Sequence, residues 1–305
     1  MRLVFAGTPA AAVPTLRRLA ADHDIAAVVT RPDAPLGRKR VLTASPVAQA
    51  AEELGLRVIK AARLDEDATA LIADLDAELG VIVAYGGLVR EPLLSTPARG
   101  WINLHFSLLP QWRGAAPVQR ALIAGDAELG ASVFQLVPAL DAGDVFASRV
   151  VAVASDATAD RALEVLAVDG AELTAEVVAG IADGSAVATP QSGEATLAPK
   201  LTLDDGLLDW TRPVESVFAR FRGVTPEPGA HTTVGGARVK ILAAAPSEDS
   251  ALEPGEIAAT KTALLIGTAT TPLAVTRVQP AGKGAMNAVD WWRGQRDAET
   301  LRAGA

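Results

Sequence analysis

The sequence predicts an α/β protein, with a doubly wound, mostly parallel sheet followed by a small β-rich barrel. Three observations carry this expectation. From the first residues to His105, short segments rich in Val, Ile and Leu, apolar on both faces, alternate with helical patterns. Such alternation implies βαβ units with right-handed crossovers. Beyond Leu203 the pattern becomes short strands separated by Gly and Pro turns, as a small barrel requires. The 305 residues are 50% hydrophobic, ample for a packed core, while aromatics make up only 4%, so Ala, Val and Leu must fill most of it.

In chain order, Leu3–Ala6, Ile25–Thr30, Val81–Ala84 and Trp101–Leu104 read as buried strands, with Leu56–Ile59 a weaker fifth. Helices are predicted over Ala11–Ala21, Ser45–Leu54 and Asp65–Leu79 by apolar spacing. In the second of these, Ser45 is placed to cap the helix and Pro46 fits its first turn. Val133–Val137 and Val145–Val153 read as strands, and Thr158–Ala179 as a long helix stopped by Gly180. Asp183–Leu203 holds Gly, Ser, Thr and Pro with little periodicity and reads as a linker. Val214–Arg222 reads as a helix, and Arg238–Ala243, Ala263–Gly267 and Leu273–Val278 as short strands. The expected division is 1–189 for a first domain, 190–205 for a linker and 206–305 for a second.

Net charge is -8, which argues against indiscriminate nucleic-acid binding through a broad basic surface. The charge is uneven: Leu207 onward carries 11 Lys+Arg against 10 Asp+Glu, so the acidity lies in the first part of the chain. There is no cysteine, which removes disulfides, thiolate zinc sites and cysteine nucleophiles. Gly7, Pro9 and Pro14 break the apolar start, so it reads as a buried strand and not a signal peptide. No stretch approaches the ~20 apolar residues that span a bilayer. The expectation is a cytoplasmic protein without a membrane segment.

Only three histidines are present. His23 sits between Asp22 and Asp24 at a helix end, a solvated position, and His231 lies in a Pro/Gly-rich stretch. His105 ends the apolar strand Trp101-Ile-Asn-Leu-His105, with Asn103 two residues before it. Residues two apart on a strand share a face, so an amide and an imidazole project together near a strand's carboxyl end, where open α/β sheets place their ligands. Internal satisfaction by loop backbone is the competing reading of both groups. Asp141, in Leu140-Asp-Ala-Gly-Asp144, reads on local chemistry as a turn residue beside Gly143. Scattered histidines without cysteine imply no metal. Phe5-Ala-Gly-Thr-Pro9 is a single-glycine turn, not the pattern that binds a nicotinamide cofactor.

Ile102-Asn-Leu-His105, Ser107-Leu-Leu-Pro110, Arg113-Gly-Ala-Ala-Pro-Val-Gln119 and Leu140-Asp-Ala-Gly-Asp144, in this order and spacing, resemble the folate-dependent formyltransferases. The similarity runs from Phe5 to Met286. It implies a Rossmann-like formyltransferase domain and an OB-like barrel behind it. It also implies that Asn103, His105 and Asp141 are the catalytic trio, and that Ser107, Leu108, Leu109 and Pro110 contact 10-formyltetrahydrofolate, the co-substrate. In that chemistry an amide donor serves the oxyanion, and an imidazole with a carboxylate partner moves the proton. Phe106 stands where many relatives have Gly, which leaves the shape of the folate cleft open.

Within the family the similarity points to enzymes that formylate initiator methionyl-tRNA. The loop Arg31-Pro-Asp-Ala-Pro-Leu-Gly-Arg-Lys-Arg40 holds four basic groups and one acid and resembles their acceptor-reading loop. Arg38, Lys39 and Arg40 are then expected on tRNA, since arginine suits phosphates and base edges. Trp112 to Arg120 and Gln279-Pro-Ala-Gly-Lys-Gly-Ala-Met286 match the same branch, which adds Lys283 as a phosphate contact. The alternatives are a formyltransferase acting on an amino sugar nucleotide and a non-catalytic folate- or RNA-binding module. A monomer is the expected state.

Overall fold

The computed structural model describes residues 1–37, 40–296 and 298–304. The chain divides into two compact units. One comprises residues 1–117, 128–152 and 163–198, and the other 118–127, 153–162 and 199–305.

The first unit is built on a seven-stranded sheet. Its strands are β1 Arg2–Gly7, β2 Asp24–Thr30, β3 Val58–Lys60, β4 Leu79–Val83, β5 Trp101–His105, β6 Leu129–Gln135 and β7 Val145–Val151, in the order β7-β6-β5-β4-β1-β2-β3. The five strands from β3 to β5 are mutually parallel, whereas β6 and β7 pair antiparallel. This is the mostly parallel sheet that the sequence predicts. Leu3, Val4, Phe5, Val28, Val29, Val81, Val83 and Ile102 are fully buried, so both faces of the inner strands are covered and their residues have no reason to alternate. β4 and β5 approach closely at Gly80, where a Cβ would lie 2.1 Å from the Trp101 ring. Trp101 is itself fully buried and donates its indole N–H to the Leu93 carbonyl at 2.9 Å.

Helices α1 Val13–Asp22, α2 Pro46–Glu53 and α3 Glu66–Ala73 join these strands. Ser45 caps α2 by accepting from the Ala48 N–H at 3.0 Å, with Pro46 in the first turn, as expected. Asp65 caps α3 in the same way at 3.1 Å. The predicted helix Asp65–Leu79 is corrected: it stops at Ala73, Asp76 turns with φ +51°, and Leu79 opens β4. The predicted stop at Gly180 is also corrected. Helix α5 Ala159–Asp183 runs through it, and Gly184 with φ +80° follows. A small hairpin pairs Ala34–Leu36 with Val41–Thr43 and exposes Leu36, Val41 and Leu42. Arg40 in its turn is exposed, while Arg38 and Lys39 lie outside the described residues.

The second unit is a curled six-stranded antiparallel sheet, a half-barrel consistent with the small β-rich barrel that the sequence predicts. Its strands are β8 His231–Val234, β9 Ala237–Pro246, β10 Ile257–Ala259, β11 Leu264–Ile266, β12 Leu273–Pro280 and β13 Met286–Asn287. They run β8-β9-β12-β11-β10, and β13 adds to β12. Helices α6 Val214–Gly223 and α7 Ala288–Arg293 supply Val217, Phe221, Trp291 and Trp292 to a core shared with Trp210, Ile241 and Val275. Within this unit the residues of α4, Pro117–Ala124, from Val118 onward meet α6. A Cβ on Gly223 would come within 2.6 Å of the Ile123 side chain, and Arg120 pairs with Asp205 at 2.8 Å. No helix of the chain is long and apolar enough to cross a membrane among the described residues.

Candidate active site

The order β3-β2-β1-β4-β5 reverses direction between β1 and β4, and clefts form beyond the carboxyl ends of strands at such a reversal. β5, the neighbour of β4, ends on the same carboxyl side of the sheet with Asn103 and His105 on one face. Register holds them in place: Asn103 lies beside Ile82 on β4 and Phe134 on β6, and His105 beside Ser132. The His105 ring meets the edge of Phe134 at a centroid distance of 6.4 Å.

His105 is buried, with 6% of its surface exposed. Its Nε2 lies 2.8 Å from the Trp112 carbonyl oxygen. A carbonyl can only accept, so Nε2 carries the hydrogen in the neutral ring and Nδ1 is the basic nitrogen. Nδ1 faces Asp141 Oδ2 at 3.7 Å. Burial pushes the imidazole below its usual range, opposed by the Asp141 charge and by the Trp112 carbonyl. The neutral ring is therefore the resting form near pH 7, and a proton arriving at Nδ1 is stabilised by the facing carboxylate.

Asp141 reaches this position from a tight turn after β6, with φ +44°. Its Oδ2 also accepts from the Gly114 N–H at 2.8 Å. Gly143 is required in the same turn, because a Cβ there would stand 1.7 Å from the Gln135 carbonyl oxygen. The Gln191 carboxamide donates to the carbonyls of Asp141 and Gly143 at 2.8 and 2.9 Å, and the Arg113 guanidinium holds Gln191 Oε1 through two bonds of 3.1 and 2.6 Å. Beyond Gln191, Thr196 accepts the Trp112 N–H at 2.8 Å, and Leu197–Ala198 pairs in parallel with Arg113–Gly114.

The structure thus brings Asn103, His105 and Asp141 into one unit, with His105 and Asp141 facing each other. Asn103 Oδ1 is buried without a hydrogen-bond partner among the described residues. A buried acceptor left open in this way costs free energy unless something completes it, so the donor set fits a ligand that brings N–H groups. Ser107 to Pro110 follow directly. The Ser107 hydroxyl donates to the Gln111 carbonyl at 2.5 Å, while the Ser132 hydroxyl donates to the Ser107 carbonyl at 2.7 Å and accepts the Leu109 N–H at 3.1 Å. Both hydroxyls serve to shape the segment, in which Leu108 and Leu109 are half-buried and Pro110 is buried. Phe106 is buried. His231 is buried in the second unit near Arg238. Among the described residues no group of three His, Asp or Glu assembles that could hold a metal ion.

Lys283 lies in the second unit, in the exposed turn after β12, where its N–H donates to the Pro280 carbonyl at 3.1 Å. Next to it a pocket of about 240 Å³ is lined by Arg238, Lys240, Gln279, Pro280, Ala281 and Gly282. Sequence reasoning missed Gln191 and Ser132 as parts of the site, and gave no role to Arg113, which opens one of the family motifs. The Arg113–Gln191 contact spans 78 positions, and no local pattern announces such a pairing.

The formyl transferase family matches residues 1–178, and the formyl transferase C-terminal domain matches residues 200–296. Methionyl-tRNA formyltransferase of Clavibacter sepedonicus is 63% identical over 296 residues, covering 96% of this chain and 97% of that protein. Among solved structures, an N-formyltransferase from Helicobacter canadensis, in complex with folinic acid and dTDP-3-aminofucose, superposes with a TM-score of 0.70. It has 14% identity, over 91% of this chain and 98% of that one. A variant of HypX from Aquifex aeolicus gives a TM-score of 0.64 at 19% identity over 97% of this chain, which spans about half (48%) of that protein's length. These two likenesses bear on the fold alone. With both of its parts matched and a relative so similar along its whole length, the chain belongs to the formyl transferase family.

Proposed function

We propose that this protein transfers the formyl group of 10-formyltetrahydrofolate to the amino group of initiator methionyl-tRNA. What supports this reading most is the pair of His105 and Asp141 facing each other at 3.7 Å, with Asn103 two residues before His105 on the same strand and its Oδ1 unpartnered among the described residues, in a chain 63% identical to a methionyl-tRNA formyltransferase. Asn103, His105 and Asp141 are the catalytic residues in this reading. Asn103 offers an amide donor to negative charge developing on the formyl oxygen, an interaction that contributes ~3–4 kcal/mol at such sites. Its orphaned Oδ1 accepts an N–H of the attacking amine. Nδ1 of His105 takes up the proton that the attacking nitrogen must lose, and Asp141 stabilises the imidazolium so formed. The ring then returns the proton to the departing nitrogen.

Ser107, Leu108, Leu109 and Pro110 form the wall against the folate. Arg38, Lys39 and Arg40 engage the acceptor end of the tRNA, and Lys283 meets its backbone. In the same reading residues 1–189 carry the chemistry and residues 206–305 help to hold the tRNA, joined by 190–205, and the protein works as a cytoplasmic monomer. The test is direct: purified protein, charged initiator tRNA and 10-formyltetrahydrofolate, with the released amino acid analysed for formylmethionine. Turnover on this acceptor, and none on an amino sugar nucleotide, is expected. The opposite preference would overturn the assignment, and binding without turnover on either acceptor would leave a binding module.

A further inference from the structure

We infer that Arg113 and Gln191 form a positioning pair that sets the Asp141 carboxylate against His105 for proton transfer. This rests on the proposed reading of the same site and gives a role to Arg113, which a family motif contains without one, and to Gln191, which no motif contains.

The turn that carries Asp141 is strained. Asp141 adopts φ +44°, a conformation that side-chain-bearing residues visit rarely and hold only when their surroundings enforce it. Two groups provide that enforcement from opposite ends. The Gly114 N–H grips the carboxylate at Oδ2, and both hydrogens of the Gln191 carboxamide grip the backbone, at the Asp141 and Gly143 carbonyls. Gln191 cannot turn over, because Arg113 occupies its oxygen with two donors from one planar guanidinium. Arg113 also adjoins Gly114 in the chain, and both are pinned by pairing with Leu197–Ala198. The circuit therefore closes on itself, from the Gly114 N–H through the Arg113 side chain and Gln191 to the backbone of Asp141.

What this circuit protects is one separation, the 3.7 Å between Asp141 Oδ2 and His105 Nδ1. Groups facing His105 come from three elements. β6 presents Phe134 and Ser132, the segment after β5 presents the Trp112 carbonyl, and the 139–143 turn presents Asp141, the charge that acts on the ring. If the turn relaxes, that charge moves away while Asn103, the folate wall and the tRNA contacts stay where they are. Loss of the pair should thus appear in the proton-transfer step and not in substrate binding.

The experiment uses the full chain with 10-formyltetrahydrofolate and charged initiator tRNA. Wild-type turnover must be established first, since its absence would defeat the functional reading and not this inference. Gln191→Met removes both donors to the turn at similar side-chain size and adds no charge, and Arg113→Lys weakens the clamp more mildly. For Gln191→Met, kcat should fall at least tenfold with both KM values within about twofold. The acid limb of its pH–rate profile should move to lower pH, because His105 loses the charge that favours its protonated form. Arg113→Lys should lie between Gln191→Met and wild type, and it carries the test if Gln191→Met does not fold. An unchanged acid limb, a kcat within twofold of wild type, or a loss confined to KM would overturn the assignment.

Discussion

Replacing Asn103 by Leu should move stability and activity in opposite directions. In the folded chain Asn103 Oδ1 is buried without a partner among the described residues. Such a group carries a desolvation cost of about 1–3 kcal/mol, which a side chain of the same shape without polar atoms does not incur. Leu is close to isosteric with Asn and would face Ile82 and Phe134 across the neighbouring strands. Taking the low end, a gain of about 1 kcal/mol should raise the unfolding temperature of the first unit by roughly 2–4 °C. Activity should fall, because an oxyanion donor removed from a pre-organised site costs about 10²–10³ in kcat. Calorimetry on the purified variant, with single-turnover formylation at saturating substrates, measures both quantities. A variant that melts lower than wild type and keeps its turnover would refute the reasoning, since Asn103 would then be a structural residue with no part in the chemistry.

Asp141→Asn removes the charge that opposes burial at His105. Turnover should fall about 10²-fold or more, and the acid limb of the pH–rate profile should move to lower pH. Stability carries a matching signature. The His105 pKa is depressed in the folded chain, so below about pH 6.5 the unfolded chain binds a proton that the folded one resists, and unfolding free energy should decline there. Denaturant titrations between pH 5 and 8 (an interval of about 3 units around the ordinary histidine value) should show a smaller decline in His105→Gln. Gly143→Ala would set a Cβ 1.7 Å from the Gln135 carbonyl oxygen, so the turn or β6 must shift at a cost of about 1–3 kcal/mol. Thermal melts and turnover should both suffer, and an unaffected enzyme would show that the turn repacks freely.

The parallel sheet was legible because burial on both faces writes itself into short, uninterrupted runs of Val, Ile and Leu. Asn103 and His105 were legible for a similar reason: two polar groups at a period of two on an otherwise apolar strand stand out. Asp141 was different. Beside Gly143 it looks like any turn aspartate, and the ordered family motif, not its own surroundings, marked it. Arg113 was visible only as the first residue of a family motif and Gln191 not at all, because their partners are one another and backbone carbonyls, which any sequence supplies. Apolar spacing also overran the true end of α3. Nothing in the pattern marks that Asp76 adopts a left-handed conformation and hands the chain over to β4. At Gly180 the opposite error arose, since packing in a long helix overrode the residue's weak preference for its end.

The second unit is assembled from three separate stretches of chain, since residues 118–127 and 153–162 group with 199–305. Its helix α6 leans on Gln119 and Ile123, and Asp205 depends on Arg120. Anyone wishing to transplant acceptor preference from one relative to another would be tempted to exchange everything after residue 200 as a cassette. Such a chimera would join a foreign α6 to a resident α4, with mismatched side chains at Gly223 and an ion pair without its counterpart. Its poor activity would then report a broken seam, not a change of acceptor. Exchanges that carry 118–127 and 153–162 along with the tail would keep the seam intact and let recognition be read by itself.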